Sequence, residues 1–152
     1  MSRTVELEMI LNEASIQFDS IPSEKWIEKK KPSAWSKLEI LGHLVDSAMN
    51  NMRRCIVSQY EENQKIVYRQ DEWVTYQDYK QADPAQLIQL WKLLNIQFAR
   101  TINAIPPDKL LNRCDTGKGI FESHTLEFII ADYVVHLKHH LEELLPGFFA
   151  TK

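Results

Sequence analysis

The stretch Leu126-Glu127-Phe128-Ile129-Ile130-Ala131-Asp132-Tyr133-Val134-Val135-His136-Leu137-Lys138-His139-His140-Leu141 decides the fold, because one side is apolar at helical spacing and another carries histidines. Ile130, Val134, Leu137, Leu141 and Leu145 recur at steps of three and four, the pattern of a helix with one face in a core. His136 and His140 stand one turn apart, which on a helix places their Cβ atoms roughly 5–6 Å from each other. Two imidazoles so placed can share one divalent ion. Asp132, one turn earlier, and Glu143 fall on the same stripe. His139 points away from its neighbour by about 100° and reads as a rim group. Two histidines at this spacing also suit a plain solvated face; a third from elsewhere in the chain tips the reading toward metal.

Working outward, Thr125 is a plausible cap for this helix and Pro146-Gly147 a stop. Upstream, Ser36-Lys37-Leu38-Glu39 has the capping-box pattern, in which serine and glutamate satisfy each other's free backbone N–H. A long helix is expected from there to about Tyr60, with Leu41, Leu44, Val45, Ala48, Met52 and Ile56 on its apolar side. Gly42 inside it invites a close neighbour. His43 falls on the polar side with Glu39, Ser47, Asn50 and Arg54, and Asp46 flanks that stripe. Its place suggests an open cleft at the mouth of a bundle.

Leu7, Ile10, Leu11, Ala14 and Phe18 predict a first helix over Thr4 to Phe18. Pro22 and Pro32 bracket a connector in which Trp26 and Ile27 suggest one packed turn. Residues 61–82 are polar and aromatic, with a short helix expected over about Asp71 to Lys80. Asp83-Pro84 signals the start of another long helix, with aspartate as cap, running through Leu87, Leu90, Trp91, Leu94, Phe98 and Ile102 to Pro106-Pro107. Residues 115–119 read as a loop, and no strand is convincing. Four long amphipathic helices with long connections imply an all-α four-helix bundle with crossovers, spanning 1–152 as a single domain.

A chain of 152 residues, 44% apolar and 26% charged, is ordinary for a soluble globular protein and can bury a real core. Its net charge of -3 gives no electrostatic reason to expect nucleic acid or an anionic membrane as partner. The one basic run, Lys29-Lys30-Lys31 before Pro32, reads as a solvated loop. No signal-peptide pattern and no membrane-length apolar run is present, and Cys55 and Cys114 make no disulfide framework. Free thiols in a cytoplasmic protein are the expectation.

Several metal motifs are missing. Leu137 stands where a zinc protease would place its glutamate after the first histidine. Di-iron bundles need Glu-x-x-His twice, whereas Glu39 precedes His43 by four. There is no Cys-x-x-Cys pair, no phosphate-binding glycine loop and no Gly-x-Ser-x-Gly elbow. Lys118 between Gly117 and Gly119 reads as a turn, and His124 as a loop residue. What remains is His43 with His136 and His140, an open set of three that leaves a coordination place for water or substrate.

Trp35-Ser36-Lys37-Leu38-Glu39-Ile40-Leu41-Gly42-His43-Leu44-Val45-Asp46 together with 132–141 resembles the two signature segments of the DinB/YfiT-like family. The family pattern is one histidine in the second helix and His-x3-His in the last, matching His43, His136 and His140. The resemblance implies a four-helix bundle, often dimeric, and a metal-dependent enzyme, with thiol-dependent S-transferases and a thiol-dependent isomerase among its members. The expected function is thus metal-dependent transfer of a low-molecular-weight thiol to a small-molecule electrophile. A metal-dependent hydrolase, or a non-catalytic metal-binding or assembly bundle, are the alternatives. Zinc or nickel suits imidazole best, with iron or manganese next. Asp46, Asp132 and Glu143 are candidates to orient the ligating rings, and Trp73 and Tyr76 to line a pocket. Trp26, Trp35, Trp73 and Trp91 exceed what a core of this size usually needs and suggest a homodimer interface.

Overall fold

The computed structural model describes residues 4–150. Four long helices form the bundle: α1 (Val5–Phe18), α3 (Lys37–Tyr60), α5 (Pro84–Ala104) and α6 (Leu126–Leu144). Two short ones, α2 (Ser23–Ile27) and α4 (Gln70–Tyr76), lie in the connections. Helix α3 packs on both α5 and α6, and α1 packs on α5.

Local chemistry sets the ends of the two helices that matter most. The Ser36 hydroxyl accepts from the Glu39 N–H at 3.2 Å, and Glu39 Oε1 accepts from the Ser36 N–H at 3.2 Å, completing the expected capping box. At α6 the Thr125 hydroxyl accepts from the Phe128 N–H at 3.2 Å. Asp83 holds the cap position of α5, but its side chain makes no capping bond, so Pro84 alone supplies the predicted start.

The core follows the predicted stripes. Leu7, Leu11 and Phe18 of α1, Leu41, Leu44 and Val45 of α3, and Leu137 and Leu141 of α6 are buried. Each such large side chain contributes roughly 1.5–3 kcal/mol on burial. Rings knit the layers: Phe18 meets Trp91 edge-on at 5.3 Å between centroids, and Phe98 meets Tyr133 at 5.0 Å. The stripe on α5 is narrower than expected, because Leu90 lies exposed. Ile56, near the end of α3, is also exposed.

Gly42 has a definite reason. A Cβ there would sit 2.1 Å from the Tyr79 ring, so glycine is what lets Tyr79 lie flat on α3. The tyrosine hydroxyl then donates to Asp46 Oδ1 at 2.6 Å. Asp78, in the left-handed region at φ 53°, breaks the helix expected over Asp71 to Lys80 into α4 and a 3-10 turn at Tyr79–Gln81.

Strands are present where none was expected. β1 (Arg113–Asp115) and β2 (Ser123–Thr125) pair antiparallel, and Lys65 bridges to Asp115. Three-residue strands carry too little alternation to read from sequence. Residues 115–119 therefore belong to the tip of a hairpin, in which Asp115 Oδ1 accepts from the N–H groups of Gly117 and Glu122 at 2.9 and 3.0 Å.

Candidate metal centre

His43 sits midway along the first half of α3, on a turn buried all round rather than on a solvated polar side. It is 1% exposed, which corrects the sequence expectation. Helix α6 closes over that stripe, and its own His136 and His140 face it. The three rings lie mutually edge-to-face, with centroids 5.0 Å (His43–His136), 4.8 Å (His43–His140) and 4.6 Å (His136–His140) apart. One ligating nitrogen from each falls within 4.8 Å of the others. His43 Nε2 and His136 Nε2 approach to 3.0 Å. Two nitrogens on a common ion, each about 2.0–2.1 Å from it, stand roughly 3 Å apart. The spacing therefore fits a shared cation.

Electrostatics favours the ligating form. Burial, with the neighbouring imidazoles adding to it, pushes the His43 pKa down to about 3 and that of His136 to about 4. His140 is lowered as well, by burial first, against the opposing pull of Glu143. All three are neutral at pH 7, with lone pairs free for a cation. The Lys118 charge adds to the effect on His43, placing the hairpin tip within electrostatic reach of the site.

The second nitrogens are held unequally. Ser47 Oγ lies 3.5 Å from His136 Nδ1, one turn along α3 from His43, and can fix that ring's tautomer. Glu143 Oε1 is 3.2 Å from His140 Nδ1 and 3.0 Å from His139 Nε2. His43 Nδ1 is buried without a hydrogen-bond partner, and the Trp35 ring covers His43 at a centroid distance of 4.9 Å. Trp35 and Ser47 were not assigned this role from sequence, although Ser47 shares the face of His43 at one-turn spacing.

Of the three carboxylates proposed to orient the ligands, only Glu143 touches one. Asp46 is wholly buried, but its Oδ1 accepts from Tyr79 and, at 3.1 Å, from Gln77 Nε2. Burial raises its pKa against these hydrogen bonds. Asp132 lines a separate cleft with Arg54, Glu122 and His124. His139 is exposed, as a rim group should be, and His124 stacks on Phe128 at 4.3 Å. Trp73 packs half-buried against Tyr68 at 5.8 Å and Tyr76 points to solvent, so neither joins the histidines.

The sequence profile of the DinB superfamily matches residues 6–144. A Bacillus subtilis (strain 168) protein described as "Putative metal-dependent hydrolase YfiT" is 28% identical over 115 residues, 75% of this chain and 64% of that protein's length. The solved structure of YfiT from Bacillus subtilis, described as a probable metal-dependent hydrolase with an unusual four-helix bundle topology, superposes with a TM-score of 0.78. That match has 22% identity and covers 91% of this chain and 82% of the other. A mycothiol-dependent maleylpyruvate isomerase matches with a TM-score of 0.77 at 12% identity, over 94% of this chain and 59% of its own. At these identities the solved structures establish the fold alone.

Proposed function

The chain belongs to the DinB superfamily, and on that premise we propose a metal-dependent enzyme in which His43, His136 and His140 hold one divalent ion and a small-molecule thiol is the nucleophile. The observation that carries this reading is the convergence of three neutral imidazoles beside a missing base. Among the described residues, Asp46 is occupied by Tyr79 and Gln77, Asp132 lies in the cleft with Arg54, and Glu143 rests between His139 and His140. A bound ion would itself lower the pKa of water, from 15.7 to about 7, though hydrolysis also draws on a group that takes and returns a proton. A thiol starts from a pKa of about 8.5 and needs far less help. Zinc or nickel, when bound, would supply the Lewis acidity that turns such a thiol into a thiolate at neutral pH.

The protein's own residues do the rest. Ser47 lies beside His136 Nδ1 and can orient that ring. The Glu143 carboxylate stands 3.2 Å from His140 Nδ1 without hydrogen-bond geometry, and the wall of α3 and α6 limits access of water. Hydrolysis is the second reading, favoured by the description of YfiT. It would require Glu143 to leave His139 and His140 and act as base. The test is metal analysis of untagged protein, then a thiol-transfer screen with several thiols and electrophiles. One ion per chain and thiol consumption that stops on chelation support the proposal. Ion-dependent ester or amide cleavage without thiol would favour hydrolysis, and absence of bound metal would leave a non-catalytic bundle.

A cytoplasmic setting accords with Cys55 and Cys114, both free and buried. No helix among the described residues is long and apolar enough to cross a membrane. A homodimer belongs to the same reading, on different grounds from those first expected. Trp26 and Trp91 are core residues, and Trp35 and Trp73 are half-buried within the chain, so the tryptophans offer no spare surface. Helices α1 and α5 instead leave Met9, Ile16, Leu93 and Ile96 exposed.

A further inference from the structure

A cavity of about 410 Å³ has Lys25, Glu28, Lys29, Lys30, Trp35, Lys37 and Glu143 among its walls. Two of these residues also touch the candidate centre: Trp35 covers His43, and Glu143 contacts His140. The cavity and the histidine cluster are therefore neighbours across one side chain. In a chain of net charge -3, four ammonium groups against the carboxylates of Glu28 and Glu143 leave this wall with a local positive excess.

Not all of that charge is neutralised. Lys25 pairs with Glu28 at 2.8 Å and Lys29 with Glu39 at 3.3 Å. Lys37 donates to the carbonyls of Leu144 and Glu143, at 2.7 and 3.3 Å, and forms no ion pair, with only the more distant Glu28 charge opposing its own. Lys30 has neither carboxylate nor carbonyl partner among the described residues. Lys30 and Lys37 repel each other: burial, with the Lys30 charge added to it, lowers the Lys37 pKa against the pull of Glu28. An anion seated between them would relieve both, while the Trp35 face suits the apolar part of the same molecule.

We propose that this cavity binds the anionic tail, carboxylate or phosphate, of the small molecule whose other end reaches the histidine centre. Specificity would then come from Lys30 and Lys37, and the reacting end would pass along Trp35 toward His43. The basic run that reads in sequence as a solvated loop thus forms one wall of a binding subsite. This inference rests on the metal-centre reading for its second half, the placement of the reacting end.

The test is a titration of the ¹⁵N-labelled full chain at low ionic strength with succinate and, separately, with inorganic phosphate. The readout is the indole N–H resonance of Trp35, assigned with Trp35→Phe. Saturable shifts of that resonance are expected, weakened roughly tenfold by Lys30→Gln, retained by Lys30→Arg and unaffected by Lys80→Gln on the exposed turn after α4. A response to succinate alone identifies a carboxylate tail, and a response to phosphate alone a phosphate. No saturable shift with either, or equal binding by Lys30→Gln, overturns the proposal. Chelator-treated protein should respond in the same way, because the lysines lie beside the histidines rather than on them. Metal retained without anion binding would therefore reject the subsite alone, and anion binding without any metal would reject only the metal centre.

Discussion

Two polar clusters share the α3–α6 seam and differ in how their lone pairs and charges are used. In the cleft of Arg54, Asp132, Glu122 and His124, the guanidinium and the imidazole already have partners. Arg54 donates through Nε and Nη2 to the Ile66 carbonyl at 3.0 and 2.9 Å and through Nη1 to Asn51 at 3.2 Å, while His124 meets Glu122 at 2.9 Å. In the cluster of His43, His136 and His140, three groups of one kind turn a ring nitrogen each to within 4.8 Å of the others, and the second nitrogens of His43 and His140 are buried without a hydrogen bond. A structural polar cluster spends its hydrogen-bonding capacity internally. A ligand site turns groups of one kind toward a common point, and of these two clusters only the histidines do so.

The largest effect expected from that difference is on metal. His136→Ala or His140→Ala should abolish binding, while His124→Ala leaves the stoichiometry unchanged and His139→Ala leaves most of it, as read by elemental analysis of untagged protein. Equal losses in all four variants would erase the distinction between the two clusters. Arg54→Ala should behave in the opposite sense. Removing a largely buried guanidinium that holds the Ile66 carbonyl should cost about 1–3 kcal/mol in denaturant unfolding, with metal content retained in the folded fraction.

The fold was legible because helical periodicity, the capping box at Ser36 and the stops at Pro106 and Pro146 all act within a few residues. The hairpin was not, since strands of three residues carry no periodic signal and are held by Asp115 and its turn. For the site, one-turn spacing put His136 and His140 side by side on α6, but spacing alone also suited a solvated face until His43 was set beside them. His43 appeared to face solvent because a helical wheel of α3 shows a polar stripe, and nothing local reveals that α6 covers it. Asp46 was misjudged for the same reason: Tyr79, lying on Gly42, claims its carboxylate from a distant connection. Lys29 and Lys30 gave no hint of a concave wall until the connector folded back beside Trp35.

A smaller effect concerns pH. His43 and His136 titrate at about 3 and about 4 in the folded chain against about 6.5 for an ordinary histidine. Between these values the unfolded chain takes up protons that the folded one refuses. Their contribution to stability is therefore fully present above about pH 6.5 and is lost as the pH falls toward 4. Metal-free protein should melt several degrees lower at pH 5 than at pH 7, and His136→Ala should reduce that difference. An unchanged difference would assign the acid sensitivity to other groups.

Anomalous diffraction from crystals grown with zinc tests the central claim most directly. A single strong peak about 2.0–2.2 Å from one nitrogen each of His43, His136 and His140 is the predicted result. His139, His140 and Glu143 form the rival cluster on the rim. A peak there, with none among His43, His136 and His140, would contradict the account.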